Sequence, residues 1–169
     1  MAKVERFMTT LMKAVKSNNV ARVKELIQQG VNVNTLDTNG DAPLIQAAYE
    51  GYTEIVRLLL EAGADVSVVD PGMKATALHA AAYAGRTEAA KLLIAYKVDI
   101  DKQGPYNGYT ALHDALWQNH VETAKVLIEA GANLGLTTHE GQTPLAFARS
   151  RKQGELVALL EQKRGTSRS

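Results

Sequence analysis

The chain has 169 residues, enough for one domain of ordinary size, and its 46% hydrophobic and 22% charged residues favour a continuous core over a disordered polymer. It contains no cysteine, which excludes disulfides, thiol chemistry and cysteine–zinc sites. A net charge of +1 gives no overall attraction to nucleic acid, and no apolar run approaches the length of a membrane span. We therefore predict neither nucleic-acid nor membrane binding.

The opening residues do not resemble a secretory signal. The segment 1–6 includes three charged residues and lacks the apolar core of a secretory signal, so we assign it to an N-terminal extension. This favours a cytoplasmic protein. The alternative is an exported bacterial protein whose signal was removed before this chain begins.

Internal repetition is the strongest signal in the sequence. Spacings of 33 or 34 residues separate five leucines, and around each one the same chemistry returns. A threonine or alanine stands two positions before the leucine, an alanine three positions after it, and a second leucine fifteen positions after it. The first leucines are Leu11, Leu44, Leu78, Leu112 and Leu145, and the second are Leu26, Leu59, Leu93, Leu127 and Leu160.

Each unit is predicted to form two short helices. Thr76 and Thr110 suit an N-cap, because a hydroxyl can accept a hydrogen bond from the first turn. Pro43 and Pro144 suit the first helical position, where no hydrogen-bond donor is lost. In four units a glutamate opens the second helix, where it faces the positive end of the helix dipole.

Residues that tolerate a left-handed backbone mark the helix ends and the turns. The first helix is expected to end near Gly51, Gly85, Asn18 and Asn119, and the second at Gly30, Gly63 and Gly131. Lys97 stands where a glycine is expected and should be mildly strained. Asn39-Gly40 and Asn107-Gly108 indicate tight hairpins in which both residues have positive φ. Lys74 replaces a hairpin glycine, so we expect the turn of the third unit to differ from the others.

The repeated unit resembles the ankyrin repeat. The resemblance covers roughly residues 7–164, and four segments carry it: Asp37…Gly40-Asp41-Ala42-Pro43-Leu44, Gly63-Ala64-Asp65-Val66, Thr76-Ala77-Leu78-His79-Ala80-Ala81 and Gly141-Gln142-Thr143-Pro144-Leu145. It implies an all-α solenoid of five helix–turn–helix units joined by β-hairpin-like finger loops, with first helices lining a concave face. The expected units are capping repeat 1 at 7–36, repeats at 37–69, 70–103 and 104–136, a capping repeat at 137–164, and a flexible tail at 165–169.

The sequence gives little support for catalysis or for a cofactor. His79 and His113 share one register, and reciprocal capping with Thr76 and Thr110 explains them better than a metal site does, because stacked helices lie about 8–10 Å apart. No serine lies in a nucleophile motif, and Gly104-Pro105-Tyr106-Asn107-Gly108 lacks the lysine of a phosphate loop. His120 and His139 are expected to be simply exposed at turns. We predict no catalytic residue, no metal and no cofactor.

One register is typical of a binding surface. Five positions after the leucine of the three inner units stand Tyr49, Tyr83 and Trp117, three of only nine aromatic residues. In an ankyrin-like stack they would form a ladder of rings about 10 Å apart. The alternative is that each ring packs against the neighbouring unit. Around the ladder we place Asp114, three residues before Trp117, and, in the following register, Glu50, Gln118 and Arg151.

The finger loops extend this candidate surface. Their candidate contact residues are Asp41, Met73, Lys74, Tyr106 and Tyr109. Together with the ladder they predict a non-catalytic module that binds another protein, and we expect a monomer. The alternatives are a component that self-associates and, less well supported, a small enzyme with a site in the groove.

Overall fold

The computed structural model describes residues 10–166, which form ten α-helices and no β-strand. The first helix, α1, is described over 10–16. The others are α2 (Val20–Gln28), α3 (Pro43–Glu50), α4 (Thr53–Glu61), α5 (Ala77–Tyr83), α6 (Thr87–Ala95), α7 (Ala111–Trp117), α8 (Val121–Glu129), α9 (Pro144–Ser150) and α10 (Gly154–Thr166). The predicted extension 1–6 lies outside the described residues, as does most of the predicted tail. Gly165 and Thr166 belong to α10, so that helix runs two residues past the expected end of the last unit.

The helices form two layers. Within a unit the two helices pack against each other, and along the stack α3, α5, α7 and α9 follow one another while α2, α4, α6, α8 and α10 form the second layer. Each helix therefore has partners in its own layer and across it. This is the arrangement expected of repeats that cannot bury a core alone.

The repeated leucines form the core between the layers. All ten are at most 4% exposed, and the alanine pairs Ala47-Ala48 and Ala81-Ala82 are fully buried beside them. Small side chains at these positions let the first helices approach closely, while the leucines fill the space between the layers. Truncating one such leucine to alanine typically costs about 2–5 kcal/mol of stability. The prediction that the leucine periodicity builds the core is confirmed.

Most of the predicted helix signals are found in the structure. Thr76 and Thr110 cap α5 and α7, and Pro43 and Pro144 occupy the first positions of α3 and α9. Positive φ occurs at all the predicted helix ends, including Lys97 at 58°. A lysine there lacks the conformational freedom of glycine, so this loop carries mild strain.

The finger loops reverse the chain without forming strands in the described residues. A backbone hydrogen bond across its base closes each loop, for example from the Asp37 N–H to the Asp41 carbonyl at 3.0 Å, and in three of the four loops a second bond forms within the turn. One prediction about these turns was wrong. Only the glycine of each Asn-Gly pair has positive φ. In the fourth unit the Asn107 side chain instead accepts a hydrogen bond from the Tyr109 N–H.

The turn of the third unit differs from the others, as predicted. Lys74 takes the positive φ of the missing glycine, at 57°, but the Asp70 carboxylate organises this turn by accepting from the N–H groups of Gly72, Met73 and Ala75.

Candidate protein-binding groove

A groove of about 640 Å³ runs along the side of the first helices that faces away from the second layer. Residues of α3, α5 and α7 line it together with residues of the finger loops before them. Seven of the twelve predicted site residues lie in its lining: Asp41, Tyr49, Met73, Tyr83, Tyr109, Asp114 and Trp117. The repeat period therefore brings residues 34 positions apart in the sequence onto one continuous surface.

The three rings of the predicted ladder all face this groove. Tyr49 is 45% exposed, and Tyr83 and Trp117 are each 43% exposed. Half-exposure is compatible with both sequence-based alternatives, binding and packing. The neighbours of each ring distinguish them. Tyr49 and Tyr83 make no ring contact within residues 10–166, so much of their aromatic surface is available.

Trp117 belongs to an aromatic cluster that joins the last two units. Its ring centroid lies 6.1 Å from that of Tyr109 and 6.2 Å from that of Phe147. The Arg151 guanidinium lies 4.2 Å from the Trp117 ring centroid, within the range of a cation–π contact. Trp117 therefore fits the packing alternative in part, because it is held by residues of the next unit while one side still lines the groove.

The backbone beneath the ladder connects each unit to the next. The carbonyls of Tyr49, Tyr83 and Trp117 accept hydrogen bonds from Arg86 Nε, His120 Nε2 and Arg151 Nη2, each 3.0 Å long. These carbonyls lie near helix C-termini, where they have no helical partner. The end of each first helix is thereby tied to the following unit.

Two histidines that were expected to be simply exposed make contacts between units. His120 bonds to Tyr83 as described, and His139 Nδ1 lies 3.2 Å from the Tyr106 carbonyl oxygen. The His139 N–H also donates to the Asn107 carbonyl at 2.9 Å. His139 is exposed as predicted and His120 is half-buried, but the prediction missed their contacts. These contacts depend on how neighbouring units dock, which no local sequence pattern encodes.

Asp114 lines the groove without a partner. It lies one turn before Trp117 on α7 and is partly buried, and its carboxylate makes no hydrogen bond or ion pair within the described part of the chain. Burial raises the pKa of the Asp114 carboxyl to about 7. Removal from water destabilises the ionised form, and no neighbouring cation compensates.

The finger loops contribute unequally to the groove. Asp41, Met73 and Tyr109 line it, with Met73 60% exposed, whereas Tyr106 and Lys74 lie outside the lining. The Tyr109 ring stacks near His113 at 5.7 Å and contacts Phe147 edge-on at 5.4 Å. Tyr109 is thus partly a packing residue, and burial raises the pKa of its hydroxyl.

The remaining predicted residues lie at the margin rather than in the groove. Gln46 Nε2 holds the Glu50 carboxylate at 3.1 Å, Gln118 is the C-cap of α7, and Arg151 covers Trp117. Sequence reasoning missed Ile45 and Ala80, which form part of the apolar lining. The sequence contains a signal for both. Ile45 stands four positions before Tyr49 and Ala80 three positions before Tyr83, and these spacings place residues on the same face of a helix.

The paired histidines act as caps. The Thr76 side chain accepts from the His79 N–H, while His79 Nδ1 accepts from the Thr76 N–H at 3.4 Å, and Thr110 and His113 repeat the arrangement. Burial lowers the pKa of both rings, that of His113 to about 4, so they remain neutral near pH 7. The capping prediction is confirmed. Within residues 10–166 no three His, Asp or Glu side chains come together as metal ligands.

Comparison with known proteins agrees with this architecture. The sequence profile of the family described as ankyrin repeats (3 copies) matches residues 2–70 and again residues 68–138. The chain belongs to the ankyrin repeat family. Ankyrin repeats are generally protein–protein interaction modules and are typically non-catalytic.

Curated proteins match the ankyrin repeats over shorter stretches. The chain is 38% identical over 69 residues to palmitoyltransferase Hip14 of Drosophila melanogaster, which covers 41% of this chain and 11% of that protein. It is 39% identical over 64 residues to the mouse ankyrin repeat, SAM and basic leucine zipper domain-containing protein 1, covering 38% of this chain and 14% of the relative. Bovine ankyrin repeat domain-containing protein 49 is 38% identical over 60 residues, covering 35% of this chain and 25% of the relative.

The chain thus spans at most a quarter of the length of these relatives. The similarity concerns their repeats and not their other parts. Among the ankyrin helices described here, none combines the length and the apolar character needed to cross a membrane.

Proposed function

We propose that this chain is a non-catalytic module that binds another protein through its concave first-helix face and its finger loops, and that it does so as a monomer. The observation that carries the proposal is the pair Tyr49 and Tyr83. Both rings line one groove, are nearly half exposed, and have no ring partner within residues 10–166.

Exposed tyrosines in a groove favour binding on energetic grounds. A tyrosine offers a large apolar surface and a polar tip while losing few rotamers when it is covered. Ile45 and Ala80 add apolar lining between the two rings, so a partner that covers them would bury a continuous surface. Anchors of this kind contribute about 2 kcal/mol or more each at protein interfaces.

The test compares two immobilised variants with the wild-type chain. Proteins retained from a lysate would be quantified by mass spectrometry, and the strongest would be purified for affinity measurement. Replacing Tyr49 and Tyr83 together by alanine should weaken that affinity by about 2–4 kcal/mol, because two anchors are lost. Thermal unfolding should change little, since neither ring packs against another ring.

Tyr96→Ala is the matched control. Tyr96 is 41% exposed, close to the two ladder tyrosines, but it lies at the end of α6 and outside the groove. Partners that are lost in the double variant and kept in Tyr96→Ala support the proposal. Equal retention by the double variant and the wild type would contradict it. Light scattering on the same samples distinguishes partner binding from self-association.

A further inference from the structure

The charge of the groove is one-sided. Among the described residues that line it are three aspartates, Asp41, Asp70 and Asp114, but no lysine or arginine. His79 is also in the lining, and burial lowers its pKa, so it adds no positive charge near neutral pH. A segment that enters the groove therefore meets carboxylates and aromatic rings, and charge complementarity favours a cationic side chain.

The three carboxylates are not equivalent. Asp70 accepts hydrogen bonds from the backbone N–H groups of Gly72, Met73 and Ala75 at 2.7–2.9 Å, so it organises its own finger loop. The Asp114 carboxylate accepts none within the described chain, and the residue is partly buried. Of the two, only Asp114 keeps its full capacity to bind an incoming donor.

The fold does not require a carboxylate at this position. The equivalent residues of the second and third units are Gln46 and Ala80, both neutral, and their helices pack in the same way. Asp114 is nevertheless placed where burial raises the pKa of its carboxyl to about 7 with no internal cation to offset the effect. A partly buried carboxyl with a raised pKa and no internal partner is typical of a functional site.

The rings that line the groove with Asp114 suit a cationic side chain. Tyr109 and Trp117 belong to the same unit as Asp114, and Tyr83 lies on α5, which packs against α7. Trp117 already holds one guanidinium, that of Arg151, at 4.2 Å from its ring centroid. Aromatic faces attract arginine and lysine, and their aliphatic stems pack well against such rings.

We propose that the partner places an extended segment along the groove and inserts an arginine or lysine side chain between Tyr83 and Trp117, where its charge pairs with the Asp114 carboxylate. This inference rests on the proposed function and specifies the chemistry of the partner. Two unit spacings of about 10 Å separate Tyr49 from Trp117, a distance that about six extended residues span.

The experiment uses peptides as defined probes. A library of random peptides of about twelve residues would be selected on the whole chain, and the affinity of the selected peptides would be measured by fluorescence polarisation. We expect selected peptides to contain arginine or lysine. Replacing that residue by glutamine should weaken binding to the wild-type chain at least about tenfold, as should Asp114→Asn with the original peptide. Arginine and lysine versions of each peptide distinguish the two sources of charge.

A double-mutant cycle connects the two losses. If the cation pairs with Asp114, the glutamine peptide should bind the wild type and Asp114→Asn with nearly equal affinity. Asp41→Asn, which removes another groove carboxylate, is the matched control and should reduce affinity about threefold or less. Additive losses, an equal effect of Asp41→Asn, or a failure to select any basic peptide would overturn the inference.

The same peptides separate this inference from the proposed function. If the peptides lose affinity for the Tyr49 and Tyr83 double variant but not for Asp114→Asn, the groove is a binding site but does not pair a cation with Asp114. Peptides that tolerate the double variant would contradict the proposed function itself.

Discussion

Tyr83 and Trp117 occupy equivalent positions in neighbouring units, yet their surroundings differ. Both rings are 43% exposed, and both backbone carbonyls accept a hydrogen bond from the next unit. Tyr83 has no ring neighbour within the described residues, whereas Trp117 contacts Tyr109, Phe147 and Arg151. Equal exposure therefore hides two different roles. In the proposed function Tyr83 offers its exposed surface to the partner, whereas Trp117 also joins the fourth unit to the fifth.

The largest expected effect comes from removing the Trp117 ring. Trp117→Ala should lower the free energy of unfolding by about 3 kcal/mol, because two ring contacts and the Arg151 stacking are lost together. Tyr83→Ala should cost less than about 1 kcal/mol, since its ring packs against no other ring. Urea denaturation of both variants measures the difference. Equal losses would mean that the two positions do not differ in packing.

A second difference lies one turn before each ring, where α5 has Ala80 and α7 has Asp114. Burial raises the pKa of the Asp114 carboxyl from 3.8 to about 7, so the folded state keeps this proton at a pH where the unfolded chain has lost it. Stability therefore falls as pH rises from about 4 to about 7. Asp114→Asn removes the penalty. We expect the variant to be more stable than the wild type by about 2 kcal/mol above pH 7, and the gain to vanish near pH 4.

Thermal unfolding across this pH range provides the measurement, with Asp41→Asn as the control that should show no comparable gain. The buried His113 has the opposite dependence. Its pKa is lowered from 6.5 to about 4, so acidification below 6.5 costs stability. That cost is common to all the variants and cancels in their comparison. A pH-independent effect of Asp114→Asn would show that the Asp114 carboxyl titrates normally.

A third difference concerns how the two helices end. The helix of Tyr83 ends beside Gly85 at φ 67°, and a Cβ added there would lie 2.6 Å from His120 Nδ1. The helix of Trp117 ends beside Asn119, which has φ 59° and carries a side chain. Gly85→Ala should therefore cost about 2 kcal/mol, through strain and displacement of His120.

Gly131→Ala is the control for this substitution. Gly131 also has positive φ, at 92°, but a Cβ there would meet open space. It should cost about 1 kcal/mol from backbone strain alone. Urea denaturation of both variants separates the two contributions, and an equal cost would exclude a role for the His120 contact.

Much of the fold could be predicted from the sequence because its determinants are local or periodic. The leucine spacing predicts the buried core, and the Thr76 and His79 spacing predicts a cap that involves only one helix turn. The orientation of the ladder follows from the helical period. Each of these inferences uses residues within one unit or one repeated register.

The rest depends on contacts between units. The sequence does not show that Phe147 of the fifth unit packs on Trp117, or that His120 and His139 reach carbonyls more than 30 residues away. The environment of Asp114 is likewise set by side chains that converge from three units. These features depend on how neighbouring units pack against each other. The periodic pattern predicts that the units stack, but not which individual side chains come into contact.

The hydrogen bonds beneath the ladder make the order of the units matter. Each acceptor carbonyl belongs to one unit and its donor to the following one: Arg86 for Tyr49, His120 for Tyr83 and Arg151 for Trp117. Two of the donors are arginines and the third is a histidine, so exchanging the third and fourth units would offer the Tyr49 carbonyl a histidine in place of an arginine. The repeats are therefore not interchangeable, although their sequences are similar. We expect chains with reordered units to lose some of these hydrogen bonds.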